Sequence, residues 1–177
     1  MKTTPLMSNC PCGSELTYQQ CCSPLHQGTL TATNAHQLMK SRYCAFVVAD
    51  IDYLVITHSP QTRHNISHQS IKQWNSQCHW LGLDVRSFTE QGPNVQVEFI
   101  AWYKQDGEIH YHHEHSTFSQ QPIDSLLAER LTEKESLPTH AWYYVDATYP
   151  EQKIPMPKRN DICICGSNKK FKKCCGS

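Results

Sequence analysis

Apolar residues recur at helical spacing in the first half of the chain and at every second position in the middle. Between Asn34 and Val48, Leu38, Met39, Arg42, Tyr43, Phe46 and Val47 fall near i, i+3, i+4, which predicts a helix with Asn34 as its cap. Asp50 is placed to cap a second, short helix carrying Ile51, Leu54 and Val55 and ending before Pro60. A third helix is expected from about Ser67 to Cys78, with Ile71, Trp74 and Cys78 on one side. The period then changes to two. Leu81, Leu83 and Val85 alternate with polar residues, Gln91-Gly92-Pro93-Asn94 reads as a turn, and Val95, Val97, Phe99, Ala101 and Tyr103 alternate again. Asp106-Gly107 marks a hairpin, Ile109 to Phe118 returns, and Ala141 to Asp146 is a last aromatic strand. Helices followed by an antiparallel sheet predict an α+β fold with the helices on one face.

The two ends of the chain do not belong to this pattern. Each carries C-x-C-G-S-x6-C-C: Cys10, Cys12, Cys21 and Cys22 at one end, Cys163, Cys165, Cys174 and Cys175 at the other. A shift of 153 residues superposes the six fixed positions and puts Tyr18 on Phe171. Four thiolates at short fixed spacing are what a tetrahedral zinc site takes, and iron also suits an all-sulfur site. Two metal ions per chain are therefore expected, structural rather than catalytic, because four thiolates leave no open position. Gly13 supplies the tight turn, and Ser14 is placed to cap a short helix running to about Gln20. Each module is too small to fold on burial alone and draws its stability from the metal.

The 177 residues allow one ordinary domain plus these appendages. The expected boundaries are 8–28 for the first module, 32–150 for the central domain and 158–177 for the second module. Net charge is zero, yet from Lys153 to Ser177 there are seven Lys/Arg against one acid, Asp161, so the remainder is correspondingly acidic. Lys169, Lys170, Lys172 and Lys173 surround the second motif where the first has Leu16, Thr17, Gln19 and Gln20. They are the candidate partner-binding residues, suited to an acidic protein or to RNA phosphate, unless they merely neutralise a dianionic metal centre. No apolar run suits a signal peptide or a membrane span, which points to the cytoplasm, where paired cysteines hold metal more often than they form disulfides.

The central strands carry His110, His112, His113, Glu114 and His115. On a strand, His113 and His115 share one face while His112 and Glu114 share the other, so the cluster does not converge on one point without a bulge. Arg42, on an apolar helix face, is expected to pair with Glu114 in the interior. Tyr43, Trp74, Trp80, Phe99, Trp142 and Tyr144 are expected in the core or lining a pocket. Cys44 and Cys78 read as buried thiols. No nucleophile–base pair or phosphate loop is present, so no catalytic residue is assigned.

Several runs together resemble a known family. Leu38-Met39-Lys40-Ser41-Arg42-Tyr43-Cys44-Ala45-Phe46, Asp52-Tyr53-Leu54, Trp80-Leu81-Gly82-Leu83, Val97-Glu98-Phe99-Ile100-Ala101, Glu114-His115-Ser116-Thr117-Phe118 and Trp142-Tyr143-Tyr144-Val145-Asp146 are similar to the YchJ family of bacterial proteins. The resemblance implies a SEC-C motif at each end and an NTF2-like domain between them, a cone of three helices wrapped by a curved sheet with a pocket at its wide end. The end motifs resemble the zinc-binding tail of the preprotein translocase ATPase SecA. This implies zinc on both modules and an acidic protein partner such as a translocation chaperone, or the ribosome, without DNA specificity. The alternative is an enzyme or small-ligand binder that uses the pocket, with Glu114 or a histidine as general base. One segment departs from the family pattern. The link between Phe118 and Trp142 is longer, with Ile123, Leu126, Leu127 and Leu131 at helical spacing after Asp124, and is placed to cover the pocket or to pack elsewhere.

Overall fold

The computed structural model describes residues 9–132 and 137–177; Ser8, the first residue of the expected N-terminal module, lies outside them. The three expected helices are α2 (Ala35–Val48), α3 (Ile51–Ile56) and α4 (His68–Gln77), preceded by a single turn, α1 (Ser23–His26). Asn34 and Asp50 cap their helices as expected, and Ser67 caps the third. Asn34 accepts from the Gln37 amide at 2.8 Å, Asp50 from Tyr53 at 3.0 Å and Ser67 from Ser70 at 3.2 Å. Each bond satisfies an amide that the first turn leaves without an intrahelical partner.

Four antiparallel strands follow in sequence order: β1 (His79–Gln91), β2 (Asn94–Gln105), β3 (Glu108–Pro122) and β4 (His140–Thr148). Gly92-Pro93 and Asp106-Gly107 make the two tight turns, and Gly107 has a φ of 85°. Register shifts at Trp80/Gly82 and Val85/Ser87 in β1, and at Thr117/Phe118 in β3, add local twist and bend the sheet around the helices. The concave face carries Val97, Phe99 and Ala101 opposite Ser116, Glu114 and His112. Leu38, Met39, Leu54, Val97 and Phe118 form the centre of the main core. The loop after α3 extends the edge of β4: the Tyr144 amide donates to Thr57 at 3.0 Å, and the Ser59 amide donates to Tyr144 at 2.7 Å.

The long link forms helix α5 (Ser125–Arg130), capped by Asp124, and it packs away from the wide end of the cone. Leu127 is buried with Ala141 and Tyr143. Arg63 and Arg130 fix its two ends, Arg63 to Asp124 and Arg130 to Asp50, each at 2.6 Å. The Arg130 Nε also donates to the His26 carbonyl at 2.8 Å, which ties this segment to the N-terminal module.

The convex face of the sheet is covered as well. Ile100 and Trp102 point outward from β2 yet are buried. The Ile154 amide donates to the Tyr111 hydroxyl at 3.1 Å, and the backbone of Ile164 and Cys165 sits directly on Gly82. A Cβ at Gly82 would collide with the Ile164 carbonyl, so the bare backbone there is the seat of the C-terminal module. We expect Gly82→Ala to displace that module at a cost of about 1–3 kcal/mol. Protease sensitivity should rise after residue 149 while the sheet stays intact by circular dichroism. Unchanged protection of the C-terminal segment would show that it is held elsewhere.

Two of the groups that contribute to the acid stability lie beside Arg63. Burial, reinforced by Arg42 and Arg63, pushes His58 down from 6.5 to about 4. The unfolded chain therefore takes up that proton first, and stability falls as pH drops from 6.5 towards 4. Asp124 is opposed by burial, but the Arg63 hydrogen bond and the Tyr143 hydroxyl carry it below the ordinary aspartate value. Its contribution is present above the unfolded value and is lost at lower pH still. His58→Asn should flatten the upper part of a stability–pH profile measured by urea unfolding and leave the lower limb in place.

Candidate metal centres

Both cysteine modules share the backbone hydrogen bonds of the turn that brings their cysteines together. The amide of the first cysteine donates six residues ahead, Cys10 to Leu16 at 2.7 Å and Cys163 to Lys169 at 2.8 Å. Its carbonyl accepts from the turn glycine, Gly13 or Gly166, at 3.1 Å in each case. Those glycines have φ of 82° and 73°, in the left-handed region that a side chain disfavours. The helix expected after Ser14 does not form. Only three-residue 3-10 turns precede the second cysteine pairs, Tyr18–Gln20 and Phe171–Lys173, because so short a segment cannot offset helix nucleation. Gln20 stabilises the first turn by accepting from the Thr17 hydroxyl at 2.9 Å. Ser14 instead donates to Cys21 Sγ at 3.2 Å, and Ser167 stands 3.4 Å from Cys174 Sγ. The Ser14 hydroxyl favours the Cys21 thiolate, but burial outweighs it and pushes that thiol up to about 11.

The sulfurs are close enough to share an ion. In each set of four they lie within 4.8 Å of one another. Individual separations are 3.6 Å for Cys12–Cys21 and 3.9 Å for Cys21–Cys22, then 3.5 Å for Cys163–Cys165 and 3.4 Å for Cys165–Cys174. Four sulfurs at about 2.3 Å from a tetrahedral zinc stand about 3.8 Å apart, so both sets fit a metal ion with little movement.

The two clusters differ in surroundings. Cys10, Cys12 and Cys22 are buried against helix α2, and Cys44 of that helix places its sulfur 3.8 Å from Cys10 Sγ. Contacts from Cys12, Cys22 and Cys44 hold Cys10 well below the ordinary thiol range, while the contact with Cys10 pushes Cys22 far above it. Sulfurs packed this closely cannot all carry charge without a cation among them, which a bound dication would supply. Just behind the cluster lies His26, whose importance no sequence signal gave. Its Nε2 lies 2.9 Å from the Ser41 carbonyl, an acceptor only, so Nε2 carries the proton and Nδ1 accepts from Tyr18 Oη at 2.8 Å. The N-terminal module is therefore part of the core rather than a detachable appendage. In the C-terminal module only Cys163 is fully buried, while Cys165, Cys174 and Cys175 are half-exposed. Lys169, Lys170 and Lys173 are exposed and Lys172 half-buried around them.

The histidine-rich strand splits as its pleat requires, but each half finds a carboxylate. Inside the cone, His112 Nε2 meets Glu114 Oε2 at 2.7 Å, and Ser116 donates to Glu114 Oε1. Burial opposes the Glu114 charge, yet these partners and the field of Arg42 keep the carboxyl below its usual range. Arg42 makes no direct pair with Glu114, contrary to expectation. Its Nη1 donates to the Leu54 carbonyl and to Thr57 Oγ1, both at 2.7 Å, and the guanidinium lies 4.6 Å from the Tyr144 ring centre. Outside, His113 and His115 converge on Glu98 Oε1 at 2.9 and 3.4 Å, and all three could reach one ion. Glu98 comes from the neighbouring strand, so spacing within β3 gives no sign of it. The His113 Nδ1 is buried without a partner, whereas a ligating imidazole ordinarily donates from its second nitrogen. This cluster reads as two imidazoles sharing one carboxylate oxygen. Cys44 is buried as expected; Cys78, at the end of α4, is half-buried.

Comparison with known proteins agrees with this architecture. Residues 34–147 match a family described as the YchJ middle NTF2-like domain, and residues 8–24 and 159–177 match the SEC-C motif. A UPF0225 protein of Shewanella sp. strain MR-4 is 39% identical over 176 residues, covering 94% of this chain and 95% of the relative. One from Actinobacillus succinogenes is 34% identical over 170 residues, covering 95% and 96%. The crystal structure of a SEC-C motif containing protein from Psychrobacter arcticus superposes with a TM-score of 0.66 at 31% identity, covering 97% of both chains. The solution structure of a SEC-C motif containing protein from Rhodopseudomonas palustris gives 0.64 at 32% identity, covering 81% of this chain and 99% of the other. With its NTF2-like centre and a cysteine module at each end, the chain belongs to the YchJ (UPF0225) family.

Proposed function

We propose that this is a cytoplasmic zinc-binding interaction protein. One ion is held by Cys10, Cys12, Cys21 and Cys22 and a second by Cys163, Cys165, Cys174 and Cys175. The C-terminal module meets an acidic partner through Lys169, Lys170, Lys172 and Lys173, and that partner is a component of protein export, a chaperone or the ribosome. The observation that carries this reading is the contrast between two modules of identical local geometry. The first is built into the core and has no lysines. The second lies on the surface, and among the described residues none of its four lysines pairs with a carboxylate. A set of unpaired cations on a projecting module gives long-range attraction to negative charge. Among the described residues no helix is long and apolar enough to cross a membrane, which agrees with a partner met away from the bilayer interior.

Metal analysis of protein purified under metal-replete conditions should give two equivalents of zinc per chain. Iron would be recognised by its thiolate-to-metal absorption in the visible. Clearly less than two equivalents would sink the assignment of both sites. Replacing Lys169, Lys170, Lys172 and Lys173 with glutamine should leave the zinc content unchanged and weaken partner capture. Against ribosomes, the slope of log affinity on log salt should fall by roughly one unit for each lysine engaged. Capture that survives the fourfold change with the same salt dependence would mean that the lysines only compensate the charge of the metal centre.

A further inference from the structure

The wide end of the cone encloses a cavity of about 260 Å³ between α2, α4 and the concave face of the sheet. That is room for roughly eight or nine waters, or for one compact organic molecule. Much of its wall is aromatic. Trp80 packs against Tyr43, Phe46 and Trp74 with ring centres 5.8, 5.3 and 5.4 Å apart, and Phe99 and Tyr144 also line the space. A wall of this kind is not favoured by water alone.

Two opposite charges face the same cavity, and they are not equivalent. Glu114 is nine-tenths buried, and both its oxygens already have partners in His112 and Ser116. Arg42 is satisfied on one side only. Both its hydrogen bonds to protein leave from Nη1, so its Nε and Nη2 have no acceptor among the described residues. Neither nitrogen is sealed from space, although the guanidinium is deeply placed and its side chain lines the cavity. The Nε–Nη2 edge is the planar fork that takes both oxygens of a carboxylate. His58, the other basic group beside the guanidinium, stays neutral at physiological pH and does not compete for an anion.

We propose that this cavity binds a small apolar carboxylate, its hydrocarbon or aromatic body against Trp74, Trp80, Phe46 and Phe99 and its carboxylate on the free edge of Arg42. The site is independent of the metal centres and of the lysine surface. A cationic ligand would suit the aromatic rings but would meet the Arg42 charge and find Glu114 occupied. A neutral ligand would fill the space and leave the guanidinium edge without its acceptor, at the cost of a charge-assisted hydrogen bond.

Three probes of one shape decide between these classes: 2-naphthoate, 2-naphthamide and 2-naphthylmethylamine, titrated into the full chain. Binding is read by calorimetry and by quenching of tryptophan fluorescence, since Trp74 and Trp80 line the cavity. The carboxylate should bind at least tenfold more tightly than the amide, and the amine more weakly than either. Arg42→Gln should bring carboxylate and amide to within about twofold of each other. Ala101→Phe, which fills the cavity from β2, should abolish binding of both. The comparison of the three probes on the unaltered chain stands even if Arg42→Gln does not fold. Equal affinity for carboxylate and amide, tighter binding of the amine, no binding of any probe at millimolar concentration, or full binding by a folded Ala101→Phe chain would each overturn the proposal.

Discussion

The structure depends on covering helix α2 on every side. One side packs on the concave sheet through Leu38 and Met39. The opposite side carries Ser41 and Cys44, which a two-layer domain would leave in solvent, yet both are completely buried. The N-terminal module is what covers them. Ser41 binds the Tyr53 hydroxyl at 2.8 Å, its carbonyl takes His26, and Cys44 lies against the cysteine cluster. A helix in this position makes the first cysteine module a third layer. Arg130 then secures that layer by bridging the His26 carbonyl and Asp50 at the start of α3. The segment between β3 and β4 is therefore a brace for the module.

Much of the fold was legible because local signals and burial agree. The expected caps at Asn34, Asp50 and Asp124 form, and both hairpins turn where glycine and its neighbours predict. What was not legible involves partners brought together across elements. Glu98 reaches His113 and His115 from an adjacent strand. Arg42 finds a carbonyl and a threonine rather than the expected carboxylate, because Thr57 is the residue that ends α3 and Glu114 is already held by its own strand neighbours at i−2 and i+2. Ser14 forms a bond to sulfur in place of a cap because the six residues between it and Cys21 leave room for a 3-10 turn only. Periodicity reports which face a residue occupies and says little about which polar atom stands opposite.

The same limit applies to the modules. Their spacing is identical and their main turn hydrogen bonds correspond, which is why the candidate metal-ligand sets could be read from the chain. Their roles diverge through contacts outside the motif. His26, Ser41 and Cys44 draw the first inward, while Gly82 accepts the second on bare backbone. Duplication gave two copies of a metal-clasping loop, and the central domain supplied two unlike sockets.

The burial of the first cluster has a consequence for timing. An ion on Cys10, Cys12, Cys21 and Cys22 would have three of its four ligands buried against α2, so its exchange would draw on local opening of the domain there. An ion on the half-exposed second cluster meets chelators, oxidants and competing thiols directly. Two sites with the same donors would thus sample their surroundings on different clocks. The inner one would record the folding history of the chain, while the outer one would follow the metal and redox state of the moment.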